Sequence, residues 1–551
     1  MDHLSGLDAA FLYLETPEMP MHVGSLHLYE LPAGYEGDFV TDVRRHIAQR
    51  LHLAPVFRRK LLNMPFELAN PVWVLDEDVD IEYHIRNTVL PVPGSREQLD
   101  RLVGRLHSSL IDRSRPLWEF YIIEGLQTPA DAPAGTRHVG FYAKVHHASL
   151  DGASGVVLAN AMLDISPMPR EVRAARHRRT PSPDTYGIAE LAGASLRHSA
   201  QQVVKLGRAL PTLARTAAQL LRPAPGAAAL DGDGGAARAR LKAPMQWFGP
   251  RTALSANVTN QRVFASVSIP LAEAKRIAKA HGASLNEVVL AICSGALRRH
   301  LGEAHDLPDE PLLAAVPVSL REAGNTQMNT QASMMRISLA SDVADPLERL
   351  RAIHAASAAA KSLTSSVKSV LPTDFPSLGA PWLISGLASL YGRSRLADRL
   401  PPLANVTISN VPGSPVPLYL AGARMLTYYP ASIVVHGVAL NITVESYAGS
   451  LDFGLTACRR ALPDLAHLAH DMLVAHRELL ATVKDDASSP GVAPAAHAPT
   501  AKRPARTAAP RKSGTKAAPN AQAKSKVNAK ATGAAKPRKL KAGAARRAAA
   551  A

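Results

Sequence analysis

The clearest alternation of apolar and polar residues lies in the segment RHVGFYAKVHH, residues 137–147. Successive side chains of a β-strand point to opposite faces, so this alternation predicts a strand. The pattern places Val139, Phe141, Ala143, Val145 and His147 on one face, and His138, Tyr142, Lys144 and His146 on the other. The two neighbouring histidines therefore point in opposite directions while the strand persists, and only one of them faces any given cavity.

An Asp-Gly pair follows the histidines and predicts a sharp turn, because Gly152 tolerates backbone angles that other residues resist. The next segment, ASGVVLANAMLDI, has the pattern of a helix, with Asp151 and Ser154 as signals for its start. The string His-His-x-x-x-Asp-Gly thus joins a strand to a helix. It holds one imidazole rigidly at the end of the strand.

The second half of the chain again mixes strand and helix patterns, without a convincing sequence repeat. NQRVFASVSIP alternates like a strand, and residues 271–301 predict two helices separated by His281 and Gly282. Ser284 and Glu287 form a Ser-x-x-Glu box, which caps the start of the second helix. Other strand patterns are LLAAVPVSL, ASMMRISL, ANVTISNV and ALNITVESYAGSLDFGLTA, and LPDLAHLAHDMLVAHRELLATV predicts a closing amphipathic helix.

Helices and strands in both halves predict an α/β (α+β) protein with two sandwich domains. We expect a first domain over residues 1–165, a partly helical crossover over 166–250, a second domain over 251–484 and a tail over 485–551. A chain of 551 residues is long enough for two sizeable cores. Its content of 46% hydrophobic and 20% charged residues is typical of a globular protein.

The net charge of +17 belongs almost entirely to the C-terminal tail. Residues 487–551 contain 15 of the 63 Lys and Arg residues and no Asp or Glu, which leaves 48 basic against 46 acidic residues before them. This Ala-, Lys- and Pro-rich tail has almost nothing to bury, so we expect it to be disordered. The rest of the chain is close to neutral.

Cysteine content and the N-terminus predict a cytoplasmic protein. Two cysteines, Cys293 and Cys458, argue against a disulfide framework and fit a reducing compartment. The first residues, MDHLSGLDAAFLYLETPEMP, lack the basic and apolar regions of a signal peptide.

No segment has the pattern of a transmembrane helix, which needs about 20 mostly apolar residues. The strongest candidate, residues 375–392, is uncharged but contains two prolines and three glycines. Its apolar side chains suit either core packing or contact with a membrane surface, and the sequence leaves both open.

The histidine pair is the candidate for chemistry. Histidine suits a general base because its unperturbed pKa of about 6.5 lies near physiological pH; the alternative is an ordinary polar pair at a strand end. Adjacent histidines that point apart do not chelate one ion, and no third His or Cys stands at ligand spacing nearby, so we expect no metal there. A nucleophile elbow, Gly-x-Ser-x-Gly, is also missing, since GASLN from Gly282 lacks the second glycine.

The motif His146-His147-Ala148-Ser149-Leu150-Asp151-Gly152 resembles that of the CoA-dependent acyltransferases, which include chloramphenicol acetyltransferases and peptide-synthetase condensation domains. More of the chain is similar to the bacterial wax ester synthase/diacylglycerol acyltransferases. The similarity covers roughly residues 4–480 without most of the crossover, and the tail lies outside it. Its other motifs are LSGLDAAFLYLETPEMPMHVGSL, RPLWEFYIIEGL, ASLNEVVLA, VPVSLR and ISNVPGSPVPLYLAGARM.

The resemblance implies two chloramphenicol-acetyltransferase-like domains that move a fatty acyl group from acyl-CoA to diacylglycerol or to a long-chain alcohol. It implies His147 as the general base, with acyl-CoA as a substrate and no permanently bound cofactor. His146 is then a supporting residue, and Asp151 a structural partner rather than a second base.

Other motif residues are expected near the substrates or in their support. Pro116, Leu117 and Trp118 shape a loop and pack, whereas Asn286 either lines the cavity or is an ordinary residue of a helix start. Ser409 and Asn410 are expected to face the site from the second half. Glu287 stands where the family usually has Asp, and the capping box accounts for it without chemistry.

The partners expected from this resemblance are acyl-CoA, a lipid hydroxyl and a membrane or lipid-droplet surface, with the protein on the inner face of the cell membrane. The basic tail is a candidate for binding anionic lipid or nucleic acid. Two rival functions stay open at this point: a condensation-type acyltransferase with other substrates, and a non-enzymatic scaffold.

Overall fold

The computed structural model describes residues 2–63, 70–128, 132, 135–150, 154–173, 248–319, 332–368, 386 and 390–483. Several predictions fall outside these ranges: the crossover helix, most of the segment 375–392, the basic tail, and the Asp151-Gly152 turn.

Nine α-helices lie within the described residues. They are α1 (Gly6–Leu14), α2 (Phe39–Ala48), α3 (Ile81–His84), α4 (Arg96–Ser108), α5 (Ser154–Met162), α6 (Leu271–His281), α7 (Leu285–Glu303), α8 (Pro346–Lys368) and α9 (Leu465–Ala481).

Fifteen β-strands lie in the same part of the chain. They are β1 (Asp2–His3), β2 (His22–Glu30), β3 (Arg59–Leu62), β4 (Val72–Leu75), β5 (Ile85–Val89), β6 (Trp118–Glu124), β7 (His138–His146), β8 (Arg262–Pro270), β9 (Leu313–Ser319), β10 (Ala332–Ser338), β11 (Val406–Pro412), β12 (Tyr419–Leu420), β13 (Ala423–Ala431), β14 (Leu440–Tyr447) and β15 (Ser450–Cys458).

The first large sheet has the strand order β12-β13-β2-β7-β6-β5. Strand β7 pairs antiparallel with β2, which places His22 opposite His146. Strands β12 and β13 come from the second half of the sequence, and β13 pairs with β2 over residues 424–431. The second half of the chain therefore completes the sheet that carries the histidine motif.

The second large sheet has the order β10-β9-β11-β14-β15-β8, and a small third sheet has the order β1-β4-β3. One face of the second sheet packs against α6, α7 and α9 in the largest core cluster of the described residues. Helix α7 is buried from Val288 to Leu297, which explains why its sequence is apolar on every side. Each such side chain contributes about 1.5–3 kcal/mol on burial.

The structure confirms the α/β prediction and most of the predicted elements. The strands β7, β8, β9, β10, β11, β14 and β15 and the helices α5, α6, α7 and α9 lie in the predicted segments to within two residues at their ends. Gly282 ends α6 in a left-handed conformation with φ of 63°, and Ser284 and Glu287 form both hydrogen bonds of the predicted capping box. Strand β13 was not expected from the sequence.

The predicted alternation along β7 is correct up to Val145. Val139, Phe141 and Val145 enter one core cluster, whereas Tyr142 enters another. The prediction is wrong for the last residue, because the strand ends at His146 and His147 begins a 3₁₀ turn over His147–Ser149. No helix in the described part of the chain is long and apolar enough to span a bilayer.

Candidate active site

His147 is held at the junction of a strand and a turn. Its backbone N–H donates a hydrogen bond of 2.9 Å to the carbonyl of Met21, just before β2. Its half-buried imidazole stacks on Phe11 of α1, with ring centroids 3.9 Å apart and planes inclined by 18°. Backbone and ring are therefore both fixed by the N-terminal segment.

The environment of His147 keeps its imidazole neutral. Burial lowers the pKa of His147 to about 4, against a smaller opposing effect of its own backbone and with a further decrease caused by His146. Nδ1 is buried and has no hydrogen-bond partner among the described residues. A neutral imidazole can accept a proton, whereas an imidazolium cannot.

His146 is enclosed, with one ring nitrogen in a hydrogen bond and the other beside a carboxylate. The residue is fully buried, and its Nδ1 accepts a hydrogen bond of 3.1 Å from the backbone N–H of Ala148. Its Nε2 lies 3.3 Å from Oε1 of Glu15. The ring therefore fixes the turn that contains His147, and the structure gives the two histidines different surroundings.

Glu15 ties the histidine turn to two other segments. Its Oε1 accepts a hydrogen bond of 3.1 Å from the backbone N–H of Met21, and its Oε2 accepts bonds of 3.0 and 2.6 Å from Arg113. Burial raises the pKa of Glu15, but His146 and Arg113 outweigh this effect and hold the pKa below its ordinary value. Glu15 is therefore a carboxylate at neutral pH and supports both His146 and the segment that binds His147.

The Pro-Leu-Trp motif, residues 116–118, contacts the end of β7 at His146. The carbonyl of Leu117 accepts a hydrogen bond of 3.0 Å from the backbone N–H of His146. Trp118 is fully buried, donates from Nε1 to the carbonyl of Phe57 at 3.2 Å and stacks on His84. Pro116 is also buried and its carbonyl accepts a bond from Trp118. These contacts match the predicted packing role.

A chain of buried contacts connects the histidine pair with the second half. His22, opposite His146, has its Nε2 2.8 Å from the carbonyl of His107. Nε2 of His107 lies 3.0 Å from the carbonyl of Ser432, whose N–H donates a bond of 3.2 Å to Oγ1 of Thr456. The histidine pair thus lies next to the place where the two halves meet.

The side chains of Ser409 and Asn410 point to opposite faces of the second sheet. On β11, Ser409 pairs with Thr443 and Asn410 with Val444. Thr443 pairs in turn with Gly454 of β15. On this face of the sheet the carbonyl of Pro430 in β13 lies so close to Gly454 that a side chain there would collide with it. Ser409 therefore lies on the sheet face toward β13 and the first sheet.

Asn410 lies on the opposite face. Its neighbour Val444 belongs to the core of the second half, so the two residues cannot both face the site. The expectation that Asn410 faces the site together with Ser409 is wrong, because a strand turns consecutive side chains to opposite faces.

Asn286 and Glu287 lie at the start of α7. Glu287 accepts a hydrogen bond of 2.8 Å from the N–H of Ser284 and faces two residues of α8, His354 at 2.9 Å and Lys361 at 3.5 Å. These contacts confirm the structural account of Glu287. Asn286 is half-buried, and no contact among the described residues brings it to His147.

An apolar cavity of about 120 Å³ lies between the first sheet and α5. Its lining includes Val23, Tyr29, Phe141, Val145, Leu158 and Met162, with Ser25, His27 and Tyr428 as polar members. Burial lowers the pKa of His27 to about 3, so its imidazole is neutral and the lining is uncharged.

This cavity begins close to the histidine turn. Val23 and Val145 line it and pair with each other across β2 and β7. His147 follows Val145 by two residues, and Met21 precedes Val23 by two. Two residues of an extended strand span roughly 7 Å, and Met21 and His147 share a backbone hydrogen bond. We call this space the alkyl pocket.

Sequence reasoning missed the residues that hold the two histidines in place. Phe11, Glu15 and Met21 lie in the N-terminal motif quoted above, but the motif gives no role for them. Arg113 and the His22–His107 pair carried no local signal. Asp151 and Gly152 lie outside the described residues, and their predicted roles stay predictions.

Two family models match most of the globular part of the chain. The wax ester synthase/diacylglycerol acyltransferase catalytic domain matches residues 4–289. The C-terminal domain of the same family matches residues 329–479.

Known proteins are similar over nearly their whole length. A Mycobacterium tuberculosis protein with the provisional name diacylglycerol O-acyltransferase is 38% identical over 476 residues, or 86% of this chain and 99% of its own. A second one from the same organism is 36% identical over 85% of this chain and 96% of its own. The solved wax ester synthase/diacylglycerol acyltransferase of Marinobacter aquaeolei VT8 has 30% identity and a TM-score of 0.60, covering 88% of this chain and all of that one. The last comparison confirms the predicted fold.

Proposed function

Because the chain belongs to the wax ester synthase/diacylglycerol acyltransferase family and is thus an acyltransferase, we propose that it esterifies diacylglycerol or a long-chain alcohol with a fatty acyl group from acyl-CoA, and that His147 is the general base. The assignment of His147 as the general base rests on the contrast between the two histidines. His146 is enclosed by Ala148 and Glu15, whereas His147 is half-buried and has a lowered pKa.

The proposed reaction is a direct transfer between two bound substrates. The neutral ring of His147 takes the proton of the acceptor hydroxyl while the hydroxyl oxygen attacks the thioester carbonyl. A C–O bond forms, and the tetrahedral intermediate collapses with cleavage of the C–S bond. The imidazolium returns its proton to the departing CoA thiolate, so the products are the ester and free CoA, and His147 is again neutral.

A covalent acyl-enzyme has no part in this proposal. Burial raises the pKa of Cys293 to about 12, which keeps its sulfur protonated and unreactive. Cys458 is also fully buried, in the strand β15. Neither cysteine is accessible to a bulky thioester.

The remaining motif residues support His147 in this proposal. His146 fixes the turn, and Asp151 and Gly152 complete the loop to α5, as the resemblance implies. Ser409 faces the substrates from the second half, since it shares a sheet face with Thr443 and Gly454. Asn286, at the start of α7, lies near the acceptor in this proposal.

The alkyl pocket binds the fatty acyl chain in this proposal. The pocket is apolar and uncharged, and burial of an alkyl chain stabilises the complex by about 0.8 kcal/mol per CH₂. A space of about 120 Å³ holds part of one unbranched chain, since a cavity of about 150 Å³ binds a molecule of the size of benzene, whereas diacylglycerol carries two chains on one glycerol. With the chain beneath α5, the thioester carbonyl lies at the Val23–Val145 end, next to His147.

A lipid surface supplies the acceptor. Leu390, Leu400 and Leu403 are exposed by 62%, 50% and 65% and lie close together in the sequence, with Arg393 and Arg399 between them. Apolar side chains interleaved with basic ones suit the boundary between acyl chains and anionic head groups. We call residues 390–403 the lipid-facing segment.

The decisive experiment supplies the purified protein with palmitoyl-CoA and either dioleoylglycerol or hexadecanol, and measures free CoA and the lipid product. We expect ester formation with at least one acceptor and a loss of 10²–10⁴-fold in His147→Ala, which is the usual contribution of a general base.

Two outcomes would contradict the proposal in different ways. An active His147→Ala variant with unchanged circular dichroism would remove the general base but leave the reaction. An active wild-type protein that uses only short alcohols or amines would instead remove the lipid acceptor.

A further inference from the structure

Four side chains with metal-binding groups meet between α7 and α9, on the helices that cover the second sheet. His300 and Glu303 stand three residues apart on α7, and His467 and Asp471 four residues apart on α9. Residues at these spacings share one face of a helix. The two helices pack against each other, so the two pairs face one another.

The donor atoms of this cluster lie close together. Nδ1 of His300 is 3.4 Å from Oδ2 of Asp471, and Nε2 of His467 is 3.3 Å from Oε2 of Glu303. Nε2 of His467 is also 3.8 Å from Oδ1 of Asp471. One donor atom from each of His300, His467 and Asp471 lies within 4.8 Å of the other two.

These distances are longer than good hydrogen bonds, and two of the atoms have no hydrogen bond at all. Nδ1 of His300 and Oδ2 of Asp471 are buried without a hydrogen-bond partner within the described residues. Asp471 is only 1% exposed. A buried carboxylate oxygen whose neighbour is an imidazole nitrogen 3.4 Å away, too poorly aligned for a hydrogen bond, is only partly satisfied, so a bound ion would relieve a cost in free energy.

The distances fit the edges of a small metal-coordination sphere. Zinc binds histidine nitrogen and carboxylate oxygen at about 2.0–2.2 Å, which places neighbouring ligands of a tetrahedral site about 3.3–3.5 Å apart. The separation between His300 and Asp471, 3.4 Å, falls on this value. We propose that His300, His467 and Asp471 bind one divalent transition-metal ion such as Zn²⁺, with the fourth position left to an external ligand.

The charge of the cluster suits this ion. Two imidazoles and the Asp471 carboxylate provide one negative charge for an M²⁺ ion, and Glu303 beside His467 adds a second one nearby. The guanidinium of Arg299 lies at the edge of the cluster, with its Nη1 3.9 Å from Oε1 of Glu303. Arg299 is already engaged, since its Nη2 donates a bond of 2.8 Å to Glu478.

A bound ion would connect α7 to α9 across their packing surface. Metal binding that is specific to the folded state stabilises that state in proportion to ligand concentration. The ion takes no part in acyl transfer, because its ligands lie on helices of the second half and His147 lies at the first sheet. The proposal is therefore independent of the proposed function.

Metal binding is tested on the full chain after removal of any purification tag and of metal by EDTA. Zn²⁺ is titrated against the protein with a chromophoric competitor, and the melting temperature is measured with and without Zn²⁺. We expect one tight equivalent and a rise of several degrees in melting temperature. Co²⁺ in place of Zn²⁺ should give the intense visible absorption of a tetrahedral N/O site.

Single variants separate this site from the other histidines of the chain, of which there are 21 in all. His300→Ala and His467→Ala should each weaken the tight equivalent by at least tenfold and remove the rise in melting temperature. His470→Ala is the matched control, because His470 is exposed on the same helix and lies outside the cluster. The proposal is overturned if wild type binds no tight equivalent, or if His300→Ala and His467→Ala bind it as wild type does.

Discussion

The imidazole of His147 lies parallel to the ring of Phe11, with the two centroids 3.9 Å apart. This contact buries one face of the imidazole and contributes to the desolvation that lowers its pKa to about 4. A base with this pKa is neutral over the whole physiological range. The contact also ties the candidate base to the first helix of the chain.

The first prediction concerns pH. As the pH falls through the pKa of His147, the ring takes up a proton and can no longer accept one from the substrate, so kcat/KM should fall below about pH 4. Phe11→Ala exposes the ring to water and should raise the pKa of His147 toward the unperturbed histidine value of about 6.5. The pH below which kcat/KM falls should rise with it. The measurement is the pH profile of kcat/KM with palmitoyl-CoA.

Phe11→Leu is the control for that experiment, because it keeps an apolar cover over the ring and should shift the profile less. If the acid limit of Phe11→Ala stays at the wild-type pH, the stacking contact does not set the pKa. If kcat/KM of wild type itself falls near pH 6.5, the pKa of His147 in the free protein is not lowered, because kcat/KM reports the pKa of the free enzyme.

The second prediction concerns the support of the base. His146→Ala removes the acceptor for the N–H of Ala148 and should lower kcat about tenfold with little change in KM. His146→Asn offers a side-chain oxygen at a similar place and should recover part of the loss. Glu15→Gln keeps a carbonyl acceptor for Met21 but loses the charge that faces Arg113, so its effect should resemble that of His146→Asn.

Steady-state kinetics at several acyl-CoA concentrations measure these effects, and circular dichroism shows whether each variant is folded. A positioning role requires that His146→Ala be much less damaging than His147→Ala. Equal losses of 10²-fold or more in both variants would assign the chemistry to His146 as well.

The third prediction concerns chain length. Ala159 lines the alkyl pocket from α5, and Ala159→Phe should fill much of its volume. We expect kcat/KM for palmitoyl-CoA to fall at least tenfold, while that for butyryl-CoA changes less than twofold, because the short chain does not reach the blocked part.

Asn160→Phe is the matched control, since Asn160 is exposed on the same helix. Competition between palmitoyl-CoA and butyryl-CoA in one assay gives the ratio directly. Parallel losses for both donors in Ala159→Phe would mean that the substitution disturbs the site as a whole and that the acyl chain binds elsewhere.

The fourth prediction concerns the lipid-facing segment. Replacing both Leu400 and Leu403 by Ser removes two exposed apolar side chains and should lower the fraction of protein that sediments with phosphatidylglycerol vesicles several-fold. Binding of wild type should also weaken as salt increases, because Arg393 and Arg399 act through charge.

Val89→Ser is the control for an exposed apolar residue outside this segment, since Val89 is 64% exposed on the edge strand β5. The double variant should keep turnover with a detergent-dispersed acceptor. Unchanged sedimentation of the double variant would move the membrane contact to another part of the chain.

Much of the fold followed from local patterns. The alternation along β7 and the two helices after β8 depend on spacings of two to four residues, which hydrophobic periodicity reports directly. The capping box of α7 is equally local, because Ser284 and Glu287 are three residues apart. The family resemblance likewise depends on short motifs in a fixed order.

No local pattern predicted that a strand from the second half of the sequence pairs in the first sheet. Strand β13 pairs with β2 although almost 400 residues separate them, and Leu28 is bonded to Thr427 across that distance. Pairing over such a separation depends on how the whole chain folds. For the same reason no local pattern joins Glu15 to Arg113, 98 residues away.

The sequence by itself determined the class of fold, the family and the pair of histidines among which the base is sought, because these depend on residue types at short, fixed spacings. Tertiary structure decided that the His146 imidazole lies against Glu15 and the His147 imidazole against Phe11, since both neighbours approach from another segment. It also decided that Ser409 and not Asn410 faces the first sheet, and that ligands from α7 and α9 meet. Contacts between distant segments are set by packing of the whole core, which no local pattern encodes.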